Sequence, residues 1–244
     1  MCYYLFMEKG IFYAVSTGAG NAELLTLQAI RVLKSCEVIF YPESERNTIA
    51  LASISKITEI DFSKKTLVSC KFSMTKDEDK RSAEYQKVAS ECEKYLLEGK
   101  SVAMLSIGDV SLYSTAARAA TLIKNLGFEV IFIAGVNSFS AAACSALASL
   151  CERDEKLSII PGDAYYMEEK LQSALKEEGT KVLMKMGRHL KEIISILNEE
   201  NLIQNATLVQ NASLPEEKIF RKTELMTLSK EDFENAYLSV LIVK

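Results

Sequence analysis

Short apolar runs alternate with longer stretches of helical period through the first 150 residues. "GIFYAVST" (10–17) reads as a buried strand stopped by Gly18 and Gly20. "NAELLTLQAIRVLKSC" (21–36) then repeats apolar residues at Leu24, Leu25, Leu27, Ile30, Val32 and Leu33 with helical spacing. "CEVIFYPES" (36–44) is a second strand, halted by Pro42, and "RSAEYQKVASECEKYLLEGK" (81–100) is an amphipathic helix with Gly99 at its end. A strand at 101–108, a helix at 112–127, a strand at 128–135 and an Ala-rich helix at 138–150 complete the series. Parallel neighbours need a crossover connection, so strands alternating with helices predict an α/β fold on a parallel sheet.

From about residue 155 the pattern loosens. "KLSIIPG", "KVLMKMG", "NATLVQNA", "EEKIFRKT" and "AYLSVLIVK" read as strands, and "DAYYMEEKLQSALKEEG" and "RHLKEIISILNEEN" as helices. Adjacent strands with a short polar connection between 205 and 223 predict an antiparallel hairpin. This second part is expected to be a mixed-sheet α/β unit, giving domains over 1–136 and 137–244.

Composition narrows the function. A hydrophobic fraction of 48% with 25% charged residues suits a globular chain rather than a disordered one. The net charge of -4 and pI near 5.4 lack the basic footprint of a nucleic-acid binder. No charge-free run of about 18 apolar residues predicts a membrane span, and the opening "MCYYLFMEKG" lacks the basic start of a secretory signal, so the expected location is the cytoplasm. The six cysteines form no C-x-x-C pair, and with His189 the only histidine no multi-histidine metal site is possible, so no metal is expected. His189, beside Gly187, reads as a helix-capping or exposed residue rather than a catalytic one.

Candidate chemistry lies at three strand ends. "VSTGAGNAELLT" (15–26) is a poor dinucleotide fingerprint, because Glu23 stands where the third glycine would be. "MLSIGDVSLYST" (104–115) sets Gly108, Asp109, Ser111, Ser114 and Thr115 ahead of a helix, where Asp109 or Ser111 is either a cap or part of a polar ligand site. "IAGVNSFSAAA" (133–143) repeats the arrangement with Gly135, Asn137 and Ser138.

These stretches, with "VLMKMGR" and "NASLPEEKI", resemble the S-adenosylmethionine-dependent tetrapyrrole (corrin/porphyrin) methyltransferases over about residues 10–243. They are most similar to the branch that methylates precorrin-2 or cobalt-precorrin-2 at C-20 in cobalamin biosynthesis. The chain departs from the family at Ser16, Ala19 and Asn21 in the first motif, at Val110 in the second, and at Ala134 and Asn137 in the third. The resemblance implies two α/β domains with the cofactor site in the cleft between them, not a Rossmann methyltransferase. It also implies a homodimer and S-adenosyl-L-methionine as methyl donor, with S-adenosyl-L-homocysteine as product. Donor contacts carried over are Ala19, Ile107, Gly108, Asp109, Leu112, Ser114, Thr115, Asn137, Ser138, Met186 and Ala212, and the substrate is a tetrapyrrole. Tyr41 and Tyr113 are candidate crevice residues, and Arg118, Lys185, Arg188 and Arg221 are candidates for the substrate's carboxylates. Alternatives are methylation at another ring carbon, a relative acting on modified histidine or ribosomal RNA, and a donor-binding module without turnover.

Overall fold

The computed structural model describes residues 9–43, 49–73, 75 and 77–244. Cys2, most of the opening stretch and Ser44 of the second predicted strand lie outside them. The chain divides after Asn137 into two compact units.

The first unit is a parallel sheet of β1 (Phe12–Ser16), β2 (Val38–Glu43), β3 (Thr66–Lys71), β4 (Val102–Ser106) and β5 (Val130–Ile133), ordered β3-β2-β4-β1-β5. Successive side chains point to opposite faces of a strand, and here they feed two cores. Phe12, Val102 and Met104 pack under α3 (Glu78–Leu97) and α4 (Thr115–Asn125). Val15, Ala103 and Leu105 pack with α1 (Leu27–Ser35) and α2 (Ile49–Ser55). Burial on both faces explains why β4 is an unbroken apolar run.

In the first half of this unit the structure corrects the sequence expectation at the start of α1 and the end of β2. Residues 21–36 are not one helix: Asn21 caps a 3-10 turn over Ala22–Leu24, and Thr26 then accepts the Ala29 amide and starts α1 afresh. Pro42 does not halt β2 but pairs with Cys70 inside it. β4 pairs with β2 only as far as Phe40, so Pro42 sits where β2 is laddered to β3 alone and a missing N–H is tolerated.

The second unit opens with α5 (Ser138–Ser145). It continues through β6 (Leu157–Pro161), α6 (Gly162–Met167), α7 (Leu171–Lys176), β7 (Thr180–Met184), α8 (Leu190–Glu199), β8 (Ala206–Gln210), β9 (Lys218–Arg221), α9 (Lys230–Glu234) and β10 (Ser239–Val243). Its sheet runs β6-β7-β10-β8-β9, with β6 and β7 parallel and the remaining pairs antiparallel. The predicted hairpin is β8–β9. Leu171, Leu175, Leu190, Ile193 and Leu197 cover the sheet through Leu183, Leu208 and Leu241. The single helix expected over 163–179 is two, α6 and α7, interrupted where Glu169 takes φ 55°.

A polar knot fixes the β8–β9 side. Gln210 Nε2 donates to the Asp232 carbonyl at 2.8 Å and to Ser239 Oγ at 3.2 Å, while Asp232 accepts Lys218 Nζ at 2.8 Å and Ser229 Oγ at 2.6 Å. The hydrogen bonds from Lys218 and Ser229 hold the Asp232 carboxyl down at about 2. A carboxyl lowered by folding contributes stability above its unfolded value, near 3.9, and loses it as pH falls through the folded value. Between about pH 4 and pH 2, the urea midpoint of the wild type is therefore expected to fall more steeply than that of Asp232→Asn. Parallel pH profiles would remove Asp232 from the acid response.

Candidate functional site

β1 lies between β4 and β5, all three run parallel, and so the three chemistry-bearing loops leave neighbouring carboxyl ends of one sheet. This edge is where open α/β sheets hold ligands. The loops are tied directly. Gly108 N–H donates to the Gly18 carbonyl at 2.7 Å, and Val110 N–H donates to Ser16 Oγ at 2.8 Å. Thr17 donates to the Ser106 carbonyl through both N–H, at 2.8 Å, and hydroxyl, at 3.2 Å.

Asp109 joins the second loop to the third. One carboxylate oxygen accepts the Gly135 amide at 2.7 Å; the other accepts the Ser111 amide at 2.9 Å and the Ser111 hydroxyl. Burial works to raise its pKa, but the bonds from Ser111, Gly135 and Ser16 outweigh it and hold the carboxyl below its ordinary range. Gly135 is needed for closeness: a Cβ there would lie 2.3 Å from Ser16 Cβ and 3.0 Å from the Gly108 carbonyl oxygen.

Neither Asp109 nor Ser111 caps the following helix. That position belongs to Ser114, whose hydroxyl accepts the Ala116 and Ala117 amides and also donates to Ser106 Oγ at 2.9 Å. The helix begins at Thr115 rather than 112, because Tyr113 is held at φ 51°. Ala19 is buried; Ile107, Leu112, Thr115 and Asn137 are half-buried around the knot. Ser138 is the first residue of α5 in the second unit. Met186, after β7, and Ala212, after β8, are buried in that unit.

Of the six further candidates, Lys185, Arg188 and Arg221 are exposed in the second unit, where Arg221 donates to the Ala146 carbonyl at 3.2 Å; the three in the first unit differ. Tyr41 is half-buried near the carboxyl end of β2, packed on the core. Tyr113 is exposed. Arg118 is already engaged: its guanidinium pairs with Glu78 and lies 4.6 Å over the Tyr85 ring, tying α4 to α3. Sequence reasoning gave no role to Ser16, Thr17 and Ser106, whose polar groups knit the loops. The available signal was hydroxyl residues ending two neighbouring buried strands. Among the described residues no group of three or more His, Cys, Asp and Glu is placed to hold a metal, and no helix is long and apolar enough to cross a membrane.

The first unit is a parallel sheet with interlocked carboxyl-end loops and no dinucleotide glycine spacing, and its class follows from its likeness to known proteins. The family model for tetrapyrrole (corrin/porphyrin) methylases matches residues 12–227. The probable cobalt-precorrin-2 C(20)-methyltransferase of Methanocaldococcus jannaschii is 33% identical over 233 residues, 95% of each chain. The cobalt-precorrin-2 C(20)-methyltransferase of Salmonella typhimurium is 28% identical over 96% of each. Uroporphyrin-III C-methyl transferase of Thermus thermophilus, solved with S-adenyl homocysteine, superposes with TM-score 0.66 at 21% identity, over 96% of this chain and 97% of that one. The chain belongs to the tetrapyrrole (corrin/porphyrin) methylases.

Removing the Asp109 carboxylate leaves the half-buried Gly135 amide without its partner, a loss of about 1–3 kcal/mol. Asp109→Ala is expected to lose that much in urea denaturation at pH 7. Gly135→Ala should be at least as damaging, because the added methyl overlaps Ser16. Wild-type stability in both would mean the three loops are not held this way.

Proposed function

We propose that this protein methylates precorrin-2 or cobalt-precorrin-2 at C-20, using S-adenosyl-L-methionine. The observation that carries the reading is the Asp109–Gly135–Ser16 knot at the strand ends, in a chain whose full-length relatives are named for that reaction. Both of those relatives are named for the cobalt form, so the cobalt-bearing substrate is the first to test.

The residues at the knot suit such a donor. Half-buried Ile107 and Leu112 offer apolar surface, and Ser114, Thr115 and Asn137 offer polar groups beside it. We infer that Ala19, Gly108, Asp109 and these residues hold the donor in the first unit, with Ser138, Met186 and Ala212 as contacts from the second. When bound, the donor supplies a methyl group activated by its positively charged sulfur. The protein's part is then alignment and exclusion of water. Asp109 acts as a holder: with both oxygens occupied by loop donors, it fixes the backbone rather than taking up a proton. Tyr41 and Tyr113 are proposed to face the tetrapyrrole. Arg118 is the weaker candidate, since contact with a substrate carboxylate would compete with Glu78.

In this reading the enzyme works in the cytoplasm as a homodimer. The acidic pI weighs against ribosomal RNA as the acceptor.

Incubation with methyl-labelled S-adenosylmethionine and precorrin-2, with and without cobalt, tests the proposal. A singly labelled product with the methyl on C-20 is expected. Label on another ring carbon would reassign the substrate position, and donor binding without turnover would make the chain a binding module. Asp109→Ala should lower donor affinity about tenfold or more, because the loops it ties together would have to be ordered by the donor itself. Unchanged affinity in a folded variant would end the role given to that loop.

A further inference from the structure

The lone histidine is neither a side-chain cap nor an exposed residue. His189 precedes α8 without a side-chain capping bond, is largely buried, and pairs through Nδ1 with Oδ1 of Asp163. Its ring lies 4.8 Å from that of Tyr166, tilted by 33°. The pair sits at the carboxyl ends of two adjacent parallel strands: Asp163 lies in the first turn of α6 just after β6, and His189 ends the turn that follows β7.

Between β7 and His189 the chain turns sharply. Lys185 is held at φ 52° and Gly187 at φ 53°, with buried Met186 between them. A positive φ at a lysine costs free energy and persists only where neighbours enforce it. Asp163 grips both ends of this turn. Its amide donates to the Lys185 carbonyl at 3.1 Å, and its carboxylate meets the His189 ring, while the His189 amide closes onto the Met186 carbonyl at 3.1 Å. From below, Gly162 lets the Met186 side chain approach: a Cβ on Gly162 would lie 2.9 Å from Met186 Cγ.

We propose that Asp163 and His189 form a positioning pair that holds the Lys185–Met186–Gly187 turn in the shape that contacts the methyl donor. The pair touches neither donor nor substrate; it acts through the backbone it fixes. The inference rests on the donor reading of Met186 given above.

Two measurements separate the pair from that reading. Hydrogen–deuterium exchange of the Asp163 and His189 amides reports the turn itself, whatever binds to it. Calorimetric titration with S-adenosylhomocysteine, together with KM for S-adenosylmethionine and kcat, reports the donor. Asp163→Ala and His189→Leu are expected to speed exchange at the remaining turn amides at least tenfold. They should weaken S-adenosylhomocysteine about tenfold and raise the donor KM in proportion, with kcat at saturating donor within about threefold of wild type. Asp163→Asn keeps an acceptor and His189→Asn keeps a donor near the Nδ1 position, so both should stay within about threefold of wild type.

Unchanged exchange in Asp163→Ala and His189→Leu would overturn the pair as the turn's holder. So would a loss in His189→Asn equal to that in His189→Leu, which would assign the effect to the missing ring rather than to its Nδ1 bond. Faster exchange with unchanged S-adenosylhomocysteine affinity would leave the turn held but remove it from the donor site, refuting the assignment of Met186. If His189→Leu does not fold, Asp163→Ala and the two amide variants decide the matter alone.

Discussion

The first unit's site depends on one buried carboxylate that serves backbone rather than ligand. A loop leaving a parallel strand has amides that no ladder satisfies, and amides even partly withdrawn from water need partners. Asp109 meets that need at Gly135 and Ser111 together, and Ser16 meets it at Val110. Once these bonds are made, the side chains left around the knot are small, hydroxylic or aliphatic, as at Leu112, Ser114 and Thr115. A site of this kind binds through shape and main chain, and it leaves no conspicuous catalytic side chain to find.

The second unit repeats the device twice. Asp163 fixes the turn after β7. Glu217 accepts the Ser213 amide and the Ser145 hydroxyl, both at 2.7 Å, beside a loop in which Asn211 and Ser213 take positive φ. In each case an acidic side chain from one segment stabilises an irregular turn in another, so strand-end loops gain order without adding regular structure. A carboxylate accepting from uncharged amides and hydroxyls makes stronger bonds than a neutral acceptor would, which suits turns held at unfavourable φ.

Much of the scaffold was legible in the chain, for a physical reason. β1, β4 and β10 are buried along nearly their whole length, so each is an apolar run, and α3 and α8 carry clear apolar faces. β3 carried no such signal because it is an edge strand with Cys70 its one fully buried residue. The break before α1 was hidden because apolar periodicity runs through it, while the capping residues Asn21 and Thr26 act locally. At the site, Gly108-Asp109 marked the place, but the Asp109–Gly135 and Ser16–Val110 partnerships join segments far apart in the chain, and no spacing encodes them. His189 looked unremarkable because its partner, Asp163, precedes it by more than one secondary element.

The strand order β3-β2-β4-β1-β5 has a consequence for how the molecule comes into being. Phe12, near the start of the described chain, finds its sheet neighbours at Val102 and Val130, whereas β2 pairs with the much nearer β3. Closing a long loop costs entropy before any contact repays it, and pairings distant along the chain form slowly. On a ribosome, β1 must therefore wait, its apolar residues uncovered, until the segment through Gly135 has emerged. The strand-end loops are then among the last parts of the first unit to take shape, and their completion reports that the central strands have found their correct order.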